Sequence, residues 1–286
     1  MLKPLIGGAL GALALAGSAE AATVELRDVA ARVTVIPEDR SDIAVTMVRT
    51  NPKLPLQVRQ EAGGDIRIDG DVGQNWMRMW LGGRIASCPS DGDRPSIKVL
   101  GVGTFDYDEL PQIVIRTPRE THVHTRGVVL GAIGRADDVD LLIAGCDRWT
   151  VANVRDELKV HYVGSGRVRA GSAGRMTVKI VGSGDFSANQ VANGLTVEIA
   201  GSGEVSAASV SGPVKLEVAG DGDVNIGGGH ASELTVKIAG SGDVKYNGVA
   251  DSLTASIAGS GDVYAAKVTG PVSKSIAGSG RIEVGP

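Results

Sequence analysis

Aromatic side chains are scarce in this chain, since its 286 residues include only 3 Trp, 4 Tyr and 2 Phe. A surface lined with aromatic platforms, of the kind that holds sugars or stacked bases, is therefore not expected. Hydrophobic residues still make up 42% of the chain. We therefore expect a folded core built from Val, Ile, Leu and Ala rather than a disordered chain.

Other shortages narrow the class of protein further. The 11 prolines and the lack of a strict third-residue glycine exclude a collagen. The net charge of −4 provides no basic footprint, so no nucleic-acid partner is expected. No segment after residue 21 offers about 20 consecutive apolar residues, so no membrane span is expected either. Two cysteines without clustered histidines disfavour a zinc site.

The first 21 residues have the pattern of a signal peptide. Lys3 supplies a short positive start, Leu5 to Ala16 is apolar and small, and Ala19-Glu20-Ala21 fits a small-x-small cleavage site. We therefore expect an exported protein, located in the periplasm, on the cell surface or outside the cell. Export also permits disulfide bonds.

Glycine is abundant and periodic. The chain has 41 glycines, about twice the average share. Seven Gly-x-Gly triplets recur with first glycines 18, 19, 19, 20, 19 and 19 residues apart. The triplets begin at Gly164, Gly182, Gly201, Gly220, Gly240, Gly259 and Gly278. A fixed period of about 19 residues is typical of a solenoid, because one such unit cannot bury its apolar face alone.

Each repeat contains runs that alternate apolar and polar residues with period two, as in 195–199 and 214–218. This alternation is typical of half-buried strands. We predict an all-β fold, a parallel β-solenoid formed as a right-handed β-helix with coils of about 19 residues. Residues 126–286 should form its regular part. Residues 22–125 should form irregular N-terminal coils with an excursion at 71–95, and a separate small β domain is the alternative.

The motif Gly-Ser-Gly-Asp-Val recurs, as at 240–244, together with Leu-x-Val-x-Ile strands. The segments Val33-Thr-Val-Ile-Pro, Ile43-Ala-Val-Thr and Ile113-Val-Ile-Arg-Thr-Pro accompany them. In these motifs the sequence resembles a known bacterial family, the auto-transporter adhesin, head GIN domain. The resemblance covers most of the chain after the signal peptide and implies an exported β-helical protein. It implies no catalytic residues.

A row of carboxylates is expected just after the corner glycines, because the repeat places one acidic residue there in five successive coils. These residues are Asp185, Glu204, Asp223, Asp243 and Asp262. Stacked coils would bring them about 4.8 Å apart. Two interpretations stay open: a solvated row that discourages edge-to-edge pairing, or a row that binds a divalent cation. We expect no obligatory cofactor, with calcium as the alternative.

Two further candidate features lie in or near the excursion. Trp76 and Trp80 form either an exposed contact patch or a cap that covers core residues. Cys88 and Cys146 either form a disulfide that ties the excursion to a coil corner or remain separate thiols. Cys146 occupies the corner position where later coils have serine.

The pattern favours a non-catalytic function. The outward strand positions carry Thr, Lys, Glu and Ser without a cluster of acids and bases, and uniform repeats are a poor setting for one specialised site. We expect an adhesin-like or cell-envelope binding module that is not an enzyme, with an envelope glycan or protein as its partner. The alternative is a carbohydrate-binding or carbohydrate-cleaving β-helix.

Overall fold

The computed structural model of the chain describes residues 22–70 and 95–286. This part of the chain consists of strands and two short 3-10 helices, Ala62–Gly64 and Tyr107–Glu109. The strands are β1 (Thr23–Pro37), β2 (Ala44–Arg49), β3 (Leu56–Gln60), β4 (Ile66–Gly70), β5 (Ile97–Val99), β6 (Gly103–Phe105), β7 (Gln112–Thr117), β8 (Glu120–Ile133), β9 (Asp138–Gly145), β10 (Arg148–Val151), β11 (Val154–Gly164), β12 (Arg167–Ala170), β13 (Ala173–Gly182), β14 (Asp185–Val191), β15 (Leu195–Gly201), β16 (Glu204–Gly220), β17 (Asp223–Ile226), β18 (Gly229–Gly240), β19 (Val244–Ala250), β20 (Leu253–Gly259), β21 (Asp262–Val268), β22 (Val272–Gly278) and β23 (Arg281–Val284).

The strands from β8 to β23 form a parallel solenoid, which confirms the predicted fold class. All their described pairings are parallel, and the corner glycines stay in register from one coil to the next, with local bulges in β11, β16 and β19. In each coil, a strand that ends at the corner glycine forms the long-strand face, as β15 does. A strand that begins after the corner forms the short-strand face, as β21 does. Side chains alternate inward and outward along both.

The N-terminal coils combine parallel and antiparallel pairing. Strand β1 pairs in parallel with β8 on one side and with β4 and β7 on the other. Strands β2 and β3 then pair antiparallel to β7 and β4. The hairpin of β5 and β6 covers a small second core, in which Ile97 and Phe105 pack with Ala30 and Val128. This end of the solenoid is therefore covered by strands of different direction.

The main core is a stack of aliphatic layers. In one layer, Val197, Leu216 and Val236 lie in register in successive strands, and each is fully buried. Trp149 is also buried. Its ring lies where any side chain at Gly131 would be, since an added Cβ there would come within 2.3 Å of the indole. Glycine at 131 therefore makes room for the largest side chain of the core.

The C-terminal coil is open to solvent. Val272 and Ile276 of β22 are 42% and 45% exposed, although their counterparts in earlier coils are buried. Lys274 aligns with Ala255, an inward position, and its Nζ donates to the main-chain oxygen of Ile282 over 2.9 Å. The charged side chain thus crosses the end of the core and binds a carbonyl of the last strand.

Candidate functional site

The corner glycines determine where both outward faces lie. They form one column from coil to coil, and Gly201, Gly220 and Gly240 are consecutive members. Gly220 has a φ of 125°, and a Cβ there would lie 2.4 Å from the carbonyl oxygen of Gly201. Only glycine combines this backbone conformation with such a close approach. The column therefore fixes the angle between the long-strand and short-strand faces.

A groove of about 560 Å³ runs along the long-strand face beside this column. We call it the long-face groove. It spans five strands, β13, β15, β16, β18 and β20. Its small apolar, outward side chains precede the corner glycines, and its polar side chains lie two residues earlier in each strand. The apolar members are Val181, Ala200, Ala219, Ala239 and Ala258, and the polar members are Lys179, Glu198, Glu217, Lys237 and Ser256.

The charges along the groove are paired. Lys179 Nζ lies 3.0 Å from a carboxylate oxygen of Glu198 in the next coil. Glu217 accepts from both Lys215 and Lys237 at 3.2 Å. The hydrogen bonds from Lys215 and Lys237 lower the pKa of the Glu217 carboxyl. These exposed pairs add little to stability. They do give the groove a fixed order of charges along the solenoid axis.

The predicted carboxylate row exists as one column on the short-strand face. Asp185 aligns with Glu204, and Glu204 aligns with Asp223. Further along, Oδ1 of Asp223 accepts the backbone N–H of Asp243, and Oδ1 of Asp243 accepts that of Asp262, both over 2.8 Å. The aspartates at this end of the row therefore bind the backbone of the next coil.

Arginines close both ends of the row. Arg167 lies 3.2 Å from Asp185, and Arg281 lies 3.1 Å from Asp262. The hydrogen bonds from the Arg281 side chain and backbone lower the pKa of the Asp262 carboxyl. Within the described ranges, no three His, Cys, Asp or Glu side chains are grouped to hold a metal ion. The solvated row stays the prediction, and calcium binding by the row stays its alternative.

A second concavity, of about 410 Å³, lies on the short-strand face near the C-terminal end of the row. We call it the Tyr264 pocket. Its lining residues are Asp243, Val244, Lys245, Asn247, Asp262 and Tyr264. Tyr264 is exposed and lies in register with Lys245 of the preceding coil. The repeat pattern did not indicate this pocket, although Tyr264 stands at an outward position where several earlier coils have Ser or Asn.

The corner that contains Cys146 differs from the seven Gly-x-Gly corners after it because Asp147 takes the place of the second glycine. The Asp147 side chain is fully buried. It accepts hydrogen bonds from the Thr125 hydroxyl, from the backbone N–H of Val129 over 2.8 Å and from the Trp149 indole over 3.4 Å. Burial raises the pKa of this carboxyl to about 6, against the opposing effect of the three donors. The repeat pattern does not indicate that this acid is buried.

The neighbouring coil accommodates Asp147. The Tyr162 hydroxyl donates to the main-chain oxygen of Asp147 over 3.5 Å, and burial raises the pKa of this phenol. A Cβ at Gly166 would lie 2.0 Å from that hydroxyl oxygen. Asp147, Tyr162 and Gly166 therefore form one close-packed polar unit at the start of the regular coils.

The remaining sequence-predicted residues belong to the excursion. Trp76, Trp80 and Cys88 lie outside the described residues, so the contact patch and the disulfide stay predictions. Cys146 is half-buried beside the small second core, with its Sγ 4.0 Å from Ser165 Oγ.

The fold and its corners define a class of protein, a parallel β-solenoid with stacked glycine corners. A family model described as Toastrack DUF4097 matches residues 22–284. The chain therefore belongs to the Toastrack DUF4097 family. A search of curated proteins gave no match. The narrower resemblance to the adhesin head GIN domain stays a prediction.

The described strands and 3-10 turns include no helix with the length and apolar character needed to cross a membrane.

Proposed function

We propose that this chain is an exported, non-catalytic, adhesin-like binding module of the cell envelope that holds an extended segment of an envelope protein in the long-face groove. The observation that carries the proposal is the groove itself, which crosses five coils along the solenoid axis. A linear partner in it would meet the same backbone geometry in every coil. The head GIN domain resemblance supports the adhesin-like part of the proposal.

The lining of the groove favours a polypeptide as the partner. Its small apolar side chains, such as Ala200 and Ala219, allow close approach of another backbone. Its charges follow the order Lys179, Glu198, Glu217, Lys237, which a peptide with charged side chains complements. None of the described residues that line this groove is aromatic. A sugar chain would therefore find little to stack on there.

The same charges support a binding role over a catalytic one. General acid–base catalysis requires a carboxyl whose pKa is tuned toward the working pH. In the groove, lysines hold the pKa of Glu217 below its usual value, and Glu198 is paired with Lys179. Both carboxylates therefore fit a role in recognition.

A matched pair of variants tests the groove. Ala219→Arg fills it, while Thr254→Arg adds the same side chain at an exposed outward position outside it. The purified mature protein is immobilised and incubated with solubilised envelope proteins, and a retained protein is identified by mass spectrometry and purified for titration. We expect the wild type and Thr254→Arg to bind it and Ala219→Arg to lose at least about tenfold in affinity. Equal binding by all three proteins would refute the groove as the site.

Export has its own test. Mass spectrometry of the protein recovered from its native cells should give an N-terminus at Ala22, because the leader is removed after Ala21.

The predicted disulfide is tested on the same protein by alkylation of its thiols before and after reduction. Cys88 and Cys146 should be protected from alkylation before reduction and should react after it. An intact N-terminus would contradict export by this signal, and two alkylated thiols without reduction would contradict the bridge.

The second candidate function is carbohydrate binding. It is favoured by one observation, the exposed tyrosine among polar groups in the Tyr264 pocket.

A further inference from the structure

Tyr264 is unusual among the aromatic residues that the structure describes. Trp149, Tyr162, Tyr246, Phe105 and Phe186 are buried in the core. Tyr107 is half-buried against the Arg32 guanidinium, 4.0 Å from the ring centroid. Tyr264 alone among the described aromatics is exposed, at 37%, and its hydroxyl has no hydrogen-bond partner within residues 22–70 and 95–286. The solenoid does not need this ring for its core.

Polar residues line the pocket together with Tyr264. Lys245 lies beside Tyr264 in the preceding coil, and Asp262 lies two residues earlier on the same face of the strand. Asn247 and Asp243 complete the polar lining. The pocket volume of about 410 Å³ falls in the range of about 300–1,000 Å³ that is typical of small-ligand sites.

Some polar atoms of the pocket form hydrogen bonds within the protein, and others remain available to a ligand. Oδ1 of Asp243 accepts the N–H of Asp262, and both oxygens of Asp262 are engaged by Arg281. Oδ2 of Asp243, the Lys245 ammonium and the Asn247 amide form no hydrogen bond with the described part of the chain. One cationic donor, one amide that both donates and accepts, and one free carboxylate oxygen therefore line the pocket together with the tyrosine ring.

This combination matches the chemistry of a hexose ring. The C–H face of a pyranose is apolar and packs on the face of a tyrosine, while its hydroxyls pair with carboxylate, amide and ammonium groups. Arg281 pairs with Asp262 and Lys245 offsets Asp243, so the pocket has no excess positive charge to hold a phosphate or nucleotide. A bare cation would find the ring and Lys245 unsuitable as ligands. The lining therefore favours an uncharged polyol with one apolar face.

We propose that the Tyr264 pocket binds one hexose unit of a glycan chain, with the sugar ring packed on Tyr264. This inference rests on the carbohydrate-binding candidate of the proposed function and names its site and ligand class.

The neighbouring coils extend the site. Asn225 precedes Lys245 in the same outward column, and Ser206 precedes Asn225. The coil spacing of about 4.8 Å is close to the length of one sugar in an extended chain, so further sugars lie over these short polar side chains.

The test uses two soluble probes, chitotetraose and cellotetraose, titrated into the mature protein by calorimetry and followed by NMR. We expect at least one probe to bind. Tyr264→Ala should weaken binding about tenfold, whereas Tyr264→Phe, which retains the ring, should stay within about threefold. Asn247→Ala should weaken binding to an intermediate extent because it removes a polar contact and leaves the ring. Thr254→Ala, on the other face, should bind like the wild type.

Two results would overturn the inference. One is that neither probe binds the wild type at concentrations up to about 10 mM. The other is that a probe binds but Tyr264→Ala and Asn247→Ala bind it with unchanged affinity. Circular dichroism melts confirm that each variant is folded. The long-face groove is tested separately by Ala219→Arg, so failure at Tyr264 leaves the groove proposal standing and success here does not rescue it.

Discussion

The backbone N–H of Asp262 donates a hydrogen bond to Oδ1 of Asp243 in the preceding coil, over 2.8 Å. Glu204, in the same column, has no such role, because the N–H of Asp223 in the coil after it donates instead to the carbonyl oxygen of Gly203 over 3.1 Å. One column therefore contains carboxylates that bind the backbone and a carboxylate that does not. This difference separates the structural explanation of the row from a metal-binding one.

The first prediction compares these two kinds of carboxylate. Asp243→Ala should lower the free energy of unfolding by about 1 kcal/mol, since the N–H of Asp262 loses its partner. Asp243→Asn retains the acceptor and should cost less. Glu204→Ala should stay within about 0.5 kcal/mol of the wild type. Urea denaturation measures all three, and equal losses for Asp243→Ala and Glu204→Ala would contradict the structural role.

Thermal melting with and without calcium completes this test. Because the backbone already occupies Oδ1 of Asp223 and Asp243, we expect calcium to leave the melting temperature unchanged. A calcium-dependent rise that Asp243→Asn abolishes would establish the row as a metal site.

The corner column gives the second prediction. Gly220→Ala forces a side chain into a φ of 125° and within 2.4 Å of a backbone oxygen, so it should destabilise the protein by at least about 1–3 kcal/mol. Gly228→Ala is the matched control, because a Cβ there meets nothing within 4 Å. Denaturant midpoints should separate the two variants clearly. A Gly220→Ala protein as stable as Gly228→Ala would mean that the corner does not constrain the coil.

The third prediction concerns the pH dependence that Asp147 introduces. Its pKa is about 6 in the folded protein and near 4 in an unfolded chain. Between about pH 4 and pH 6 the carboxyl is therefore mostly protonated in the folded protein and mostly ionised in the unfolded chain. The contribution of this group to the free energy of unfolding is fully present below pH 4 and is lost as the pH rises through 6. The free energy of unfolding therefore falls by about 3 kcal/mol over this range. Asp147→Asn cannot ionise and should lack this component.

The measurement is the free energy of unfolding of both proteins from pH 4 to pH 8. The difference between wild type and Asp147→Asn should change across the window from about 4 to about 6 and be flat above about 7. Comparing the two proteins at each pH cancels the contribution of the other titrating groups. Parallel curves would show that Asp147 does not titrate in this range.

The fourth prediction concerns the open C-terminal coil. Lys274 places a charge at an inward position of an exposed edge strand, a feature that opposes pairing with another chain. Lys274→Leu should therefore promote self-association, which sedimentation velocity detects as a dimer or larger species. Lys267→Leu, which removes the same charge from an exposed outward position, should remain like the wild type. Identical sedimentation of both variants and the wild type would contradict this role.

The regular half of the molecule was predictable because its signals repeat. Each corner presents the same glycines, and alternation such as Leu195, Val197 and Ile199 fixes which side chains face inward. The register of the carboxylate row follows from the same period. A single weak pattern seen seven times becomes a strong one, and the coil length follows from the spacing alone.

The exceptions were not predictable because each is a single departure from the repeat. Asp147 reads as an ordinary polar corner residue, and only the surrounding donors of Thr125, Val129 and Trp149 show why it is buried. The antiparallel direction of β2 and β3 has no local signature, since alternation is the same in both directions. Tyr264 is an ordinary outward residue until its neighbours Lys245 and Asn247 are placed beside it.

The central claim is that the long-face groove is the surface that meets an envelope partner. The most direct measurement places a photo-crosslinking amino acid at position 219, or at position 254 as the control, in the protein expressed in its native cells. We predict one defined protein adduct from position 219 and none from position 254. Equal labelling at both positions, or no adduct at 219, would contradict the claim.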